Sequence, residues 1–143
     1  MKDYSTPEEM IISLISQNRG THNFIDKDAL ISMASENGID VDDRISKREI
    51  AIKVAELIGY KELSQQANVG VSSYELQQRL GISNTIIKRM VRDGFISVTG
   101  YEFVRIYGKY RKCPLYNVYD YFKTNEQVQE WLKEHNTIQK NNP

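Results

Sequence analysis

Residues 72–122 read SSYELQQRLGISNTIIKRMVRDGFISVTGYEFVRIYGKYRKCPLYNVYDYF, and the punctuation inside that run decides the fold. Ser72 with Glu75 three positions on is a capping-box pattern, in which each side chain satisfies a backbone amide of the other. It opens a helix that buries Leu76 and Leu80. Gly81 permits a tight turn, Ile82 points inward, and Ser83 is placed to cap a second helix. On that helix Ile86, Ile87, Met90 and Val91 form the apolar side, while Asn84, Thr85, Lys88, Arg89 and Arg92 form the outer side. Asp93-Gly94 ends it. Residues 95–99 and 101–107 are rich in β-branched and aromatic side chains, which predicts two strands turning at Thr99-Gly100. Residues 108–114 then read as a basic loop, Leu115-Tyr116 as a short strand, and Asn117 as the cap of a short helix over 118–122.

The outer side of the second helix carries the chemistry. Thr85, Lys88, Arg89 and Arg92 recur at three- and four-residue spacing, so they share one stripe. Arg and Lys donate to guanine O6 and N7 in a major groove, and Asn84 in the first turn is suited to adenine. Lys109, Arg111 and Lys112, flanked by Tyr107 and Tyr110, offer cations and hydroxyls to phosphate oxygens. A helix with this face, followed by a hairpin and a basic loop, points to double-stranded DNA as the partner.

The whole-chain charge hides an asymmetry that fits this reading. Lys and Arg number nineteen, as do Asp and Glu. Residues 1–70 hold eight basic and twelve acidic side chains, a net of −4, and residues 71–143 hold eleven against seven, a net of +4. A phosphate backbone responds to the local field, not to the average. With 143 residues there is room for one ordinary domain or two small ones. The single cysteine, Cys113, forbids an intramolecular disulfide and suits a reducing cytoplasm. The sequence MKDYSTPEEM at the start lacks the apolar run of a signal peptide, and no membrane-spanning run follows.

Upstream, helix starts and stops recur. Thr6-Pro7 with Glu9 opens a helix carrying Met10, Ile11, Leu14 and Ile15, which Arg19-Gly20 ends. Asp26 caps a second, stopped by Asn37-Gly38, with Ile39-Asp40-Val41 extended after it. Ser46 with Glu49 opens a third, and Gly59 stops it before a short helix over 60–67. Asn68 to Val71 reads as a module boundary with the two halves in contact. Thr124 with Gln127 opens a last helix with Val128, Trp131, Leu132 and His135 on one side, packed within a monomer. The expected fold class is therefore mainly α with a small β-hairpin wing. A helical module spans 1–70, a winged helix-turn-helix with its C-terminal amphipathic helix spans 71–136, and a disordered tail spans 137–143.

Two resemblances add to this. LGISNTIIKRMVRDGFI, followed by a basic loop and PLYNVYDYF, resembles the winged helix of the MerR and excisionase proteins over about fifty residues. It implies that the turn and second helix read DNA and that a basic wing precedes a Tyr-containing strand. The stretch between Thr99 and Lys109 is longer than a typical excisionase wing. DALISMASENGIDVDDRISKREIAIKVAELI is similar to the helix-extension-helix motif of the SAP and Rho N-terminal type. That similarity implies a secondary nucleic-acid contact at Arg44, Lys47 and Arg48. Asp40, Asp42 and Asp43 beside them oppose it and favour a structural or protein-binding role.

The functional expectation is a small DNA-binding transcriptional regulator or recombination accessory factor of phage or mobile-element type, not an enzyme. The rival is a protein-interaction module on the same scaffold, such as a phage-type inhibitor whose acidic N-terminal half docks on a host protein. No cofactor or metal is expected: His22 and His135 lie far apart, Cys113 has no evident histidine partner, and the Asp40–Asp43 acids lack calcium-loop spacing.

Overall fold

The structure, a computed structural model, describes residues 4–17 and 25–135. Among them run eight helices and one hairpin: α1 (Pro7–Ile15), α2 (Lys27–Glu36), α3 (Lys47–Ile58), α4 (Tyr60–Ala67), α5 (Ser73–Leu80), α6 (Asn84–Asp93), β1 (Val98–Ile106), β2 (Lys109–Tyr116), α7 (Val118–Tyr121) and α8 (Asn125–Glu134). The architecture is mainly helical with a two-stranded antiparallel sheet. The tail from residue 136, His22 and the Arg19-Gly20 stop lie outside the described residues; α1 itself ends at Ile15, with Ser16 as its C-cap.

The caps read from the sequence form as hydrogen bonds. Reciprocal capping boxes hold Ser46 with Glu49, Ser72 with Glu75 and Thr124 with Gln127. Thr6 accepts from the Glu9 amide, and Glu9 reaches one residue further back, to the Ser5 amide. Each such cap contributes on the order of 1 kcal/mol. α1 is buried on more than one side: Met10, Ile11, Ile12, Leu14 and Ile15 are all inside, against α3, α4 and α7.

Asn68 to Val71 is the seam of the molecule. Val69 and Val71 are fully buried, and Val71 pairs with Tyr116 through two backbone hydrogen bonds of 2.9 and 2.7 Å. Buried residues from Met10 in α1 to Leu132 in α8 form one contiguous cluster. The Tyr119 hydroxyl adds a polar tie across the halves, donating to Glu8 at 2.8 Å. Asp120 accepts the Ser97 amide at 2.9 Å and faces Lys123 at 3.5 Å; burial nevertheless pushes its carboxyl above the ordinary value.

The hairpin departs from the sequence expectation. It turns at Tyr107-Gly108, not at Thr99-Gly100. Both turn residues have positive φ, 50° and 79°, the geometry of a two-residue hairpin connection whose twist matches the strands. Residues 108–114, expected as a loop, belong to β2 from Lys109 on, while residues 95–97 precede β1. Gly100 serves clearance instead. A Cβ there would lie 1.9 Å from the Asn68 side-chain oxygen. Asn68, itself left-handed at φ 56°, brackets the Tyr101 backbone, accepting from its N–H at 2.9 Å and donating to its C=O at 2.8 Å. The register shifts between Val98 and Gly100 at this bracket.

Two predictions follow from the seam. Asn68→Ala and Gly100→Ala should each destabilise by about 1–3 kcal/mol, the first through lost hydrogen bonds and the second through overlap of the new Cβ with Asn68. In the double variant the costs should sum to less than their total, because removing the Asn68 amide removes what Gly100→Ala strikes; urea denaturation of the four proteins checks this. Tyr119→Phe should cost about 1 kcal/mol near neutral pH. Burial first, and the bond to Glu8 second, push the Tyr119 phenol up from 10.0 to about 12. The folded chain therefore holds a proton that the unfolded chain releases above 10.0, so stability should fall as pH rises through that window. The decline should be shallower in Tyr119→Phe, as measured by denaturation at stepped pH.

Candidate nucleic-acid interface

α5 and α6 are joined by Gly81-Ile82-Ser83. Gly81 adopts φ 69°, which lets its N–H close on Gln77, and the Ser83 hydroxyl caps α6 by accepting from the Ile86 amide. Ile87 and Met90 anchor α6 in the core, with Ile86 and Val91 half-buried beside them. Thr85, Lys88 and Arg92 are exposed. The first turn of α6 carries no acidic residue, so no carboxylate of its own first turn offsets the partial positive charge at that end.

Two of the five predicted groove residues have tertiary tasks. Asn84 is half-buried, and its side-chain oxygen accepts from the Ser73 hydroxyl at 2.6 Å, locking α6 to the start of α5. Arg89 is half-buried, with its guanidinium 6.0 Å from the centre of the Trp131 ring. Trp131 belongs to α8, which buttresses the C-terminal end of α6. Its indole N–H donates to Asp93 at 2.9 Å, and the same carboxylate oxygen lies 2.9 Å from His135 Nε2. The His135 ring stacks on Trp131 at 4.1 Å, and the Phe95 ring stacks on the indole at 6.0 Å. Arg89, Arg92, Asp93, Trp131 and His135 line a cleft of about 330 Å³.

The hairpin projects as an arm. From Arg105 to Lys112 every residue is exposed, including the predicted Lys109, Tyr110, Arg111 and Lys112. Tyr107 at the tip is fully exposed, 100 %. Among the described residues, no carboxylate forms an ion pair with Lys88, Arg92, Lys109, Arg111 or Lys112. Other cations of residues 71–123 are engaged. Arg79 donates to the Tyr121 carbonyl at 3.1 Å and lies over the Tyr121 ring, while Lys123 faces Asp120 and the Phe95 ring.

The helix-extension-helix residues are dispersed in their tasks. Arg44 pairs with Asp42 at 3.0 Å, which holds that carboxyl below its ordinary value. Lys47 donates to the Gln17 carbonyl at 2.8 Å, and partial burial lowers its ammonium pKa. Arg48 is exposed. Sequence reasoning did not single out Tyr101 and Phe103, which the arm leaves in solvent. The signal was partial: Gly108 could supply a left-handed turn residue between two runs of strand length, but Tyr107 beside it is not a residue that marks a two-residue turn.

No protein-family model, curated protein or solved structure matches the chain.

No helix among the described residues is long and apolar enough to cross a membrane.

Asp93→Ala should leave Trp131 and His135 without their shared acceptor and loosen α8 from α6. The expected cost is about 1–3 kcal/mol. Urea unfolding followed by the emission of Trp131, the sole tryptophan, measures it, and the folded-state emission should shift to the red.

Proposed function

We propose that α5, α6 and the hairpin act as a winged helix-turn-helix that binds double-stranded DNA, in the manner of a small transcriptional regulator or recombination accessory factor. The observation that carries this reading is a set of exposed cations on two elements with no carboxylate ion-pair partner among the described residues, Lys88 and Arg92 on α6 and Lys109, Arg111 and Lys112 on the arm. These five cations are already turned to solvent, so their charges add to the local positive field that a phosphate backbone meets. Thr85, Lys88 and Arg92 form the groove-facing set. Arg89, half-buried at the edge of α8, supports α6 through Trp131 and reaches the backbone from its flank. Tyr110 adds a hydroxyl to the arm's phosphate contacts.

The rival, a protein-interaction module, draws on the N-terminal half, where Leu57 stands 61 % exposed on α3 and the acidic side chains predominate. A salt-titrated gel shift with random duplex fragments separates the two. Binding at low salt, with log K falling linearly against log salt, supports the DNA reading. Lys88→Ala with Arg92→Ala should weaken duplex binding about tenfold or more and lower the salt slope by about 0.9 for each phosphate no longer neutralised. The absence of any retarded band at low salt overturns it.

A further inference from the structure

The arm has two unlike faces. Cross-strand partners lie on the same face of an antiparallel pair, and successive residues alternate. From the register, Tyr101, Phe103 and Arg105 share a face with Tyr110, Lys112 and Pro114. Glu102, Val104 and Ile106 share the other with Lys109, Arg111 and Cys113. The first face is almost entirely aromatic and cationic. Its three rings are 45, 69 and 70 % exposed at Tyr101, Phe103 and Tyr110.

The cations on this face are set against the rings. Lys112 Nζ lies 4.4 Å from the Tyr101 ring centre, and the Arg105 guanidinium lies 5.8 Å from that of Tyr110. Phe103 stands opposite Lys112. Exposing three rings to water is unfavourable unless something covers them. The charges select what that is. Residues 98–116 carry Arg105, Lys109, Arg111 and Lys112 against Glu102 alone, so the occupant is an anion with flat apolar surfaces.

We propose that this face is a second nucleic-acid site, a stacking platform for the unpaired bases of an extended single strand. Bases in a duplex have their flat faces already stacked, whereas a single strand offers them to aromatic rings. Tyr101 and Phe103, two residues apart on β1, project about 6.7 Å from one another, roughly twice the 3.4 Å rise of a stacked strand. A strand drawn out, with its bases parted, matches that interval. Arg105 and Lys112 lie between the rings to meet the phosphates, and the opposite face adds Lys109 and Arg111 at the edges. The site does not require α6 to read duplex DNA, and the two readings fail separately.

The test uses the full chain and two fluorescein-labelled probes, a thymidine single strand of about 15 nucleotides and a random duplex of about 20 base pairs, titrated by anisotropy at about 50 and about 200 mM salt. Phe103→Ala and Tyr101→Ala, alone and together, change exposed side chains only, and thermal unfolding verifies that they fold. Single-strand binding should weaken about tenfold for each ring removed, with duplex binding within about twofold of the parent. Lys88→Ala with Arg92→Ala should show the reverse pattern. A single strand carrying 5-bromouracil should crosslink to Tyr101, Phe103 or Tyr110. The proposal is overturned if the parent does not bind the single strand at the lower salt, or if the ring variants bind it like the parent. It is also overturned if the ring variants lose duplex binding equally, which would make Phe103 a wedge between base pairs. Loss of self-association instead of single-strand binding would likewise overturn it and make the face a contact between copies of the chain.

Discussion

The pairing of Val71 with Tyr116 is the constraint on which the rest depends. It joins the segment leaving α4 to the end of β2, and it does so inside the core, where an unpaired amide or carbonyl is costly. Gly70 sits in the same seam, where a Cβ would meet the Thr99 methyl and the Tyr116 carbonyl, each at 2.6 Å. Asn68 then fixes the root of β1 through both backbone groups of Tyr101. Four consecutive residues thereby set the hairpin's position relative to the helices. α1, buried on several sides, packs against α3, α4 and α7.

That seam explains why the cations of the C-terminal half have two fates. Those near the core become packing groups: Arg79 lies over Tyr121 and Lys123 over Phe95, while Arg89 lies over Trp131. Aromatic faces attract cations and bury their aliphatic stems at the same time. Those beyond the seam, on the arm, have no core to meet. Arg105 and Lys112 therefore settle on the arm's own rings, which keeps both charge and ring at the surface. Identical residue types thus support the scaffold on α5, on α6 and after α7, and present charge on the arm.

What the sequence made legible is what is local. Capping boxes involve residues three apart, so Ser46, Ser72 and Thr124 declared their helices without tertiary information. The α5–α6 turn was legible for the same reason. The hairpin was misplaced because glycine answers two needs that look alike in a sequence. Gly100 provides clearance for Asn68, a residue more than thirty positions earlier, whereas Gly108 provides the left-handed turn. Asn84 and Arg89 carry the pattern of a groove-facing stripe, but Ser73 and Trp131 engage them. Helical spacing shows which side a residue is on and not what another helix brings to it. Nothing before residue 124 hints that α8 closes on α6.

The same distinction bears on how an arm of two strands stays formed. An isolated hairpin in water is marginal, because each strand has only one partner and no buried face. Here the outer half of the arm gains nothing from the core, since every residue from Arg105 to Lys112 is exposed. Its order must come from the Tyr107-Gly108 turn, from cross-strand pairs such as Arg105 with Tyr110, and from the bracket at its root. Each of these contributes fractions of a kcal/mol to about 1 kcal/mol, so the outer arm is held by less than α6, which Ile87 and Met90 anchor in the core and Trp131 buttresses. A fixed helix beside a yielding arm suits a ligand with one regular part and one irregular part. On the proposed reading, α6 sets the register on the duplex and the arm conforms to the strand beside it.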